Sequence, residues 1–199
     1  HIGYPSPDLL DTMYMCQQRQ EWYQDFARSM GESSLPLVGS VTVHSNVVEV
    51  SRSIGKALGF DLEERRSIPT WTEALRRFIS QADAIGIMVM VSGIVGSNTH
   101  RPLNPNEFRG FALADPIAPL VFINGKDTRA AQMFTLAHEL AHIWLGETAL
   151  SDVGPITLPS TNKVEAFCNQ VAAELLVPLD VLVDTYKGDI SIVEELNRL

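Results

Sequence analysis

Apolar residues recur at helical spacing in some stretches of this 199-residue chain and run together in others, and the alternation sets the expected order of elements. After Pro7 and a capping Asp8, residues Leu9, Met13, Cys16, Tyr23, Phe26 and Met30 read as a long first helix that Gly31 stops. The polar stretch from Gly31 to Ser40 reads as a linker. A second helix is expected from about Asn46 to Leu58, with Val47, Val50, Ile54 and Leu58 on one face and Gly59 ending it. A third opens on the capping box Thr70-x-x-Glu73 and carries Trp71, Leu75, Phe78 and Ala82.

The period then changes. Ile87 to Val91, Arg109 to Ala114 and Leu120 to Ile123 are short β-prone runs, the last closed by the turn pair Asn124-Gly125. Met88 and Met90 in the first run are expected to be core. A proline-bearing loop around Asn98, His100 and Arg101 separates the first two runs. Asp127 or Thr128 caps a helix through Leu145 that Gly146 stops, Glu147 to Thr161 reads as a loop, and Val164 to Val177 is helical. Short strands beside helices of this kind imply an α+β fold with a small mixed sheet.

Composition narrows the class. Hydrophobic residues are 45% and charged residues 20%, as in folded globular proteins. The net charge of −9 argues against direct nucleic-acid binding by this segment. Two cysteines, Cys16 and Cys168, do not make a disulfide framework, and no signal peptide or transmembrane run is visible, so the expectation is a cytoplasmic protein without a membrane partner. The chain begins at His1 and ends at Leu199 within a helical pattern, and reads as a piece of something longer. The expected division is residues 1–35, an N-terminal helix and linker, and 36–199, the main domain.

The chemistry lies in His138-Glu139-Leu140-Ala141-His142, an H-E-x-x-H pattern inside a helix. A turn of about 100° per residue puts His138 and His142 on one face, able to bind one metal ion, with Glu139 one step around and within reach of a water beside it. A catalytic zinc site keeps three protein ligands and an open position, so a third ligand is required. No histidine follows His142, which leaves a carboxylate or an upstream histidine such as His100 or His44. On the next helix Glu165 shares a face with Cys168, Asn169 and Ala172, whereas Glu174 points the other way. Glu165 is therefore the favoured third ligand. Cys168 is expected to be a small buried residue, Tyr186 a helix-end core residue, and Arg109 to Ala114 the sheet edge on which an extended substrate would lie, with Gly110 allowing close approach.

Phe134-Thr-Leu-Ala-His-Glu-Leu-Ala-His142, followed by Glu165-Ala-Phe-Cys-Asn-Gln-Val-Ala-Ala-Glu-Leu-Leu-Val-Pro178, resembles the ImmA/IrrE family of metallo-endopeptidases. The resemblance extends through Asn98-Thr-His-Arg-Pro-Leu103 and Glu107-Phe-Arg-Gly-Phe111, and covers about Val47 to Asp184. It implies a zincin-like domain with a metal held by His138, His142 and Glu165 and with Glu139 as catalytic base. It also implies one Zn2+, or another divalent ion such as Mn2+, and a helix-turn-helix repressor as substrate, whose cleavage switches on gene expression. Many members carry an N-terminal helix-turn-helix domain, and this chain shows none. The alternative is a metal-binding sensor or docking module of a larger transcriptional regulator with little or no proteolysis. The intact base and ligands favour the enzyme.

Overall fold

The computed structural model describes residues 5–60, 65, 67–152 and 163–186. Among them the chain runs α1 (Pro7–Ser29), α2 (Val47–Leu58), α3 (Trp71–Ala84), β1 (Met88–Ser92), β2 (Phe108–Leu113), β3 (Leu120–Asn124), α4 (Arg129–Leu145), β4 (Ala149–Asp152), α5 (Lys163–Leu176) and α6 (Leu179–Thr185). The class is α+β with a small mixed sheet, as the patterning implies. No single helix among these residues is long and apolar enough to cross a membrane.

Local chemistry explains where the helices begin and end. The side chains of Asn46, Thr70 and Thr128 each accept a hydrogen bond from a first-turn amide of α2, α3 and α4, satisfying donors that the helix itself cannot. Gly59 and Gly146 close α2 and α4 in the left-handed region, at φ 64° and 72°. The cap of α1 is Ser6 rather than Asp8: its hydroxyl accepts from the Leu9 amide, and Asp8 instead pairs with Arg101.

The strands order as β1-β3-β2-β4, with β1 parallel to β3 and both β2–β3 and β2–β4 antiparallel. This corrects two expectations. β4 lies in what reads as loop, and it makes β2 an interior strand rather than the edge that would receive a substrate. A backbone edge left open beside apolar residues attracts pairing, and a short Ala-Leu-Ser-Asp segment supplies it with little β-propensity of its own. The rest of the expected loop, 153–161, lies outside the described residues.

Alternation along the strands divides the interior in two. Ala112, Val121 and Ile123 face a core shared with α2, α3, α4 and α5, whereas Phe111, Leu113, Leu120 and Phe122 face Leu9 and Cys16 of α1. Met88 and Met90 pack against this second core, as expected. Gln20 of α1 donates to the carbonyls of Leu113 (2.9 Å) and Ala118 (2.8 Å), and Arg101 binds Asp8 and Asp11, each at 2.7 Å. The stretch read as a linker is held at its end: Gly39 and Val41 donate to the carbonyls of Ile143 and Trp144, both at 3.2 Å, which satisfies the C-terminal turn of α4.

Candidate active site

Helix α4 runs through the interior, and every residue from Thr135 to Trp144 is buried. Such a helix is covered on all sides, here by β2 and β3, by α3 and by α5. The turn before it is tied down from both ends. Asn124 donates to the Phe108 carbonyl (3.1 Å) and accepts from the Lys126 amide (3.0 Å), while Gln132 donates to the Asp127 carbonyl (2.7 Å). These bonds fix the register of α4 against the sheet.

One turn of that helix separates His138 from His142, and their Nε2 atoms converge to 3.1 Å. Helix α5 packs against α4 and α2, and its Cys168 and Ala172 are fully buried in the shared core. That packing delivers Glu165. Its Oε2 lies 3.2 Å from His138 Nε2, and its Oε1 lies 3.3 Å from His142 Nε2. Glu139 is fully buried on the sheet side of the same turn, where its Oε1 faces β2 at Gly110.

Among the described residues His138, His142 and Glu165 form a group able to hold a metal ion. Two imidazole nitrogens and a carboxylate are the donors of a catalytic zinc site, and bonds of about 2.0–2.1 Å in tetrahedral array place ligand atoms about 3.3 Å apart. The observed spacings of 3.1, 3.2 and 3.3 Å, the last two to the two different oxygens of Glu165, are of that size. The residues therefore fit the ion.

Electrostatics point the same way. Burial by itself lowers the His138 pKa, but the hydrogen bond to Glu165 and the charges of Glu139 and Glu165 outweigh it and hold the value above the usual one. For Glu165 burial raises the pKa, yet hydrogen bonds from both imidazoles win and bring the carboxyl down to about 2. Asn169, one turn after Glu165 and on the same face by helical spacing, is exposed.

The rival ligands lie elsewhere. His44 and His100 are exposed in loops and outside the group. Glu174 is turned away, with Oε2 accepting from the Leu179 amide at 3.3 Å. Arg101 serves α1 on the far face of the sheet, and Asn98 accepts from the His100 amide (3.0 Å) in a local turn. Tyr186 is 53% exposed at the end of α6 instead of packing in a core. Cys168 is buried, as expected.

No curated protein matches the chain. A family model described as the IrrE N-terminal-like domain, Peptidase M78, matches residues 82–199. The match takes in the sheet, α4, α5 and all of His138, Glu139, His142 and Glu165, and spans more than half of the chain, so the chain belongs to the IrrE N-terminal-like peptidase family.

Proposed function

We propose that this protein is a zinc-dependent endopeptidase in which His138, His142 and Glu165 hold the ion and Glu139 is the general base. The observation that carries the reading is the convergence of two Nε2 atoms and one carboxylate at 3.1–3.3 Å, one residue away from a buried glutamate. A divalent ion held there supplies Lewis acidity, polarising the scissile carbonyl and acidifying the attacking water. Glu139 takes the proton from that water as its oxygen bonds to the carbonyl carbon. It then gives the proton to the amide nitrogen as the C–N bond breaks, so the base is regenerated. The packing of α4 on α5 holds the donor set in place.

The proposed substrate is a helix-turn-helix repressor, cleaved in the cytoplasm to release gene expression. The charge of −9 supports this choice, since a DNA-binding partner presents a basic surface to an acidic enzyme. The test is mass spectrometry of candidate repressors incubated with the zinc-loaded protein and with its Glu139→Gln variant. Glutamine is nearly isosteric but cannot take up the proton, and general-base catalysis contributes about 10²–10⁴-fold. Expected are discrete fragments with the unaltered protein and a loss of that order in the variant at equal zinc content. Equal cleavage by both would remove Glu139 from the mechanism.

A further inference from the structure

Strand β2 carries a glycine where α4 lies against it. Gly110 and Ala112 lie on the α4 face of the sheet and alternate with Phe111 and Leu113 on the other side. A Cβ at position 110 would meet Thr135 Cγ2 at 2.5 Å, the Phe122 carbonyl oxygen at 2.6 Å and Glu139 Oε1 at 3.3 Å. The first two distances are shorter than side chains tolerate. The third shows that the carboxylate of Glu139 lodges against the backbone that this residue leaves bare. Thr135 and Glu139 are one turn apart on α4, both buried, so they form a single ridge that seats in this notch. A methyl at position 110 has two neighbours on the helix, Thr135 and Glu139, and one on the paired strand, the Phe122 carbonyl, so it pushes α4 away at Thr135 and Glu139 and strains the β2–β3 pairing as well.

We propose that Gly110 is a positioning residue for Glu139: its missing side chain lets the carboxylate sit against β2 at the depth from which it reaches the reacting water. The inference rests on the reading of Glu139 as base. It replaces the expectation that Gly110 opens a sheet edge to substrate, because β4 already pairs with β2. The same residue type thus serves a different neighbour.

The test compares zinc-loaded unaltered protein with Gly110→Ala, Gly110→Ala/Thr135→Ser, Glu139→Gln and Leu9→Ala. The last loosens the α1 face without touching the site. Turnover is read on a quenched fluorescent peptide library, zinc content by mass spectrometry, and base placement by titration with acetohydroxamate. That ligand passes its N–OH proton to a carboxylate beside the metal and then hydrogen-bonds to it.

A displacement near 1 Å costs about 100-fold, so Gly110→Ala is expected to lower kcat by about that factor with KM within about twofold and zinc unchanged. Acetohydroxamate should weaken about tenfold or more in Gly110→Ala and in Glu139→Gln but not in Leu9→Ala, and Thr135→Ser, which removes the nearest methyl, should recover about tenfold of kcat. Unchanged acetohydroxamate affinity in Gly110→Ala, or a kcat loss no larger than that of Leu9→Ala at matched melting temperature, overturns the proposal. If Gly110→Ala does not fold, a folded double variant with unaltered kcat and acetohydroxamate affinity overturns it equally. Should the unaltered protein turn over no peptide, it is the hydrolytic reading that fails, and the acetohydroxamate titration still decides the placement of Glu139.

Discussion

Two glutamates on α5 differ by nine positions and by everything that surrounds them. Glu165 lies 3.2–3.3 Å from both imidazoles, while Glu174 accepts from the Leu179 amide. Removing one carboxylate should abolish metal binding and removing the other should leave it intact. Glu165→Ala is therefore expected to lower zinc affinity by at least about 100-fold, a loss at the upper end of what disturbing even an outer-shell partner produces. Glu174→Ala should keep one ion per chain, and metal analysis after dialysis separates the two. Loss of zinc only in Glu174→Ala would refute the assignment. Cys16 makes a residue-scale prediction of another kind. Burial pushes its thiol from 9.0 to about 12, against a small opposing pull from Arg19. The folded state holds that proton to higher pH than the unfolded state, so the stability it contributes is fully present below pH 9.0 and lost as pH rises through about 12. Cys16→Ala is expected to flatten the denaturation midpoint over that window relative to the unaltered protein. Parallel curves would show that the buried thiol does not govern the alkaline limb.

Helix α4 carries three of the four proposed site residues, so its ends decide whether they stay in register. The Thr128 hydroxyl accepts from the Ala131 amide at 3.2 Å, and losing such a cap costs about 1 kcal/mol. Gly146 has φ 72°, and a Cβ there would lie 2.8 Å from Gly39 Cα in the segment that caps the last turn. Gly146→Ala meets both penalties, and should cost about 2 kcal/mol or more against about 1 kcal/mol for Thr128→Ala in urea denaturation. A reversed order would mean that the strap from Gly39 to Val41 does not set the end of α4. Both caps are readable in sequence, because a cap depends on its own residue and the next turn. β4 is not. Its four residues have no periodic signal, and its pairing is set by the open edge of β2, which is far away along the chain.

At the scale of the whole molecule, the sheet separates the side that carries the candidate site from a supporting side. Leu9 is 2% exposed against the aromatic face of β2 and β3, whereas Arg101 is one-third exposed where it binds Asp8 and Asp11. Burial outweighs a partly solvated ion pair, so Leu9→Ala should cost about 2–4 kcal/mol and Arg101→Ala much less. Calorimetric unfolding of the two variants tests the ranking, and an equal loss would show that α1 is held by charge. The family match begins at residue 82, yet α1 and the segment from Leu35 to Val41 bond to elements inside it. Assigning residues 1–35 and 36–199 to separate units remains a proposal, and these contacts are what a test of it must break.

The sequence by itself determined the helices with strong caps, the three apolar strands, the α+β class and the shared face of His138 and His142. Each depends on residues a few positions apart, where backbone geometry converts spacing into direction. It also separated Glu165 from Glu174, because nine residues of helix turn a side chain to the opposite side. Tertiary structure decided the rest. The Nε2 and carboxylate atoms meet at 3.1–3.3 Å because α5 packs against α4. Arg101 turned to α1, β2 became an interior strand and Gly110 came to face Glu139 through contacts between segments remote in the chain. Local periodicity does not encode such contacts, since any of several partners could satisfy the same unpaired edge, charge or gap, and packing of the whole core selects one.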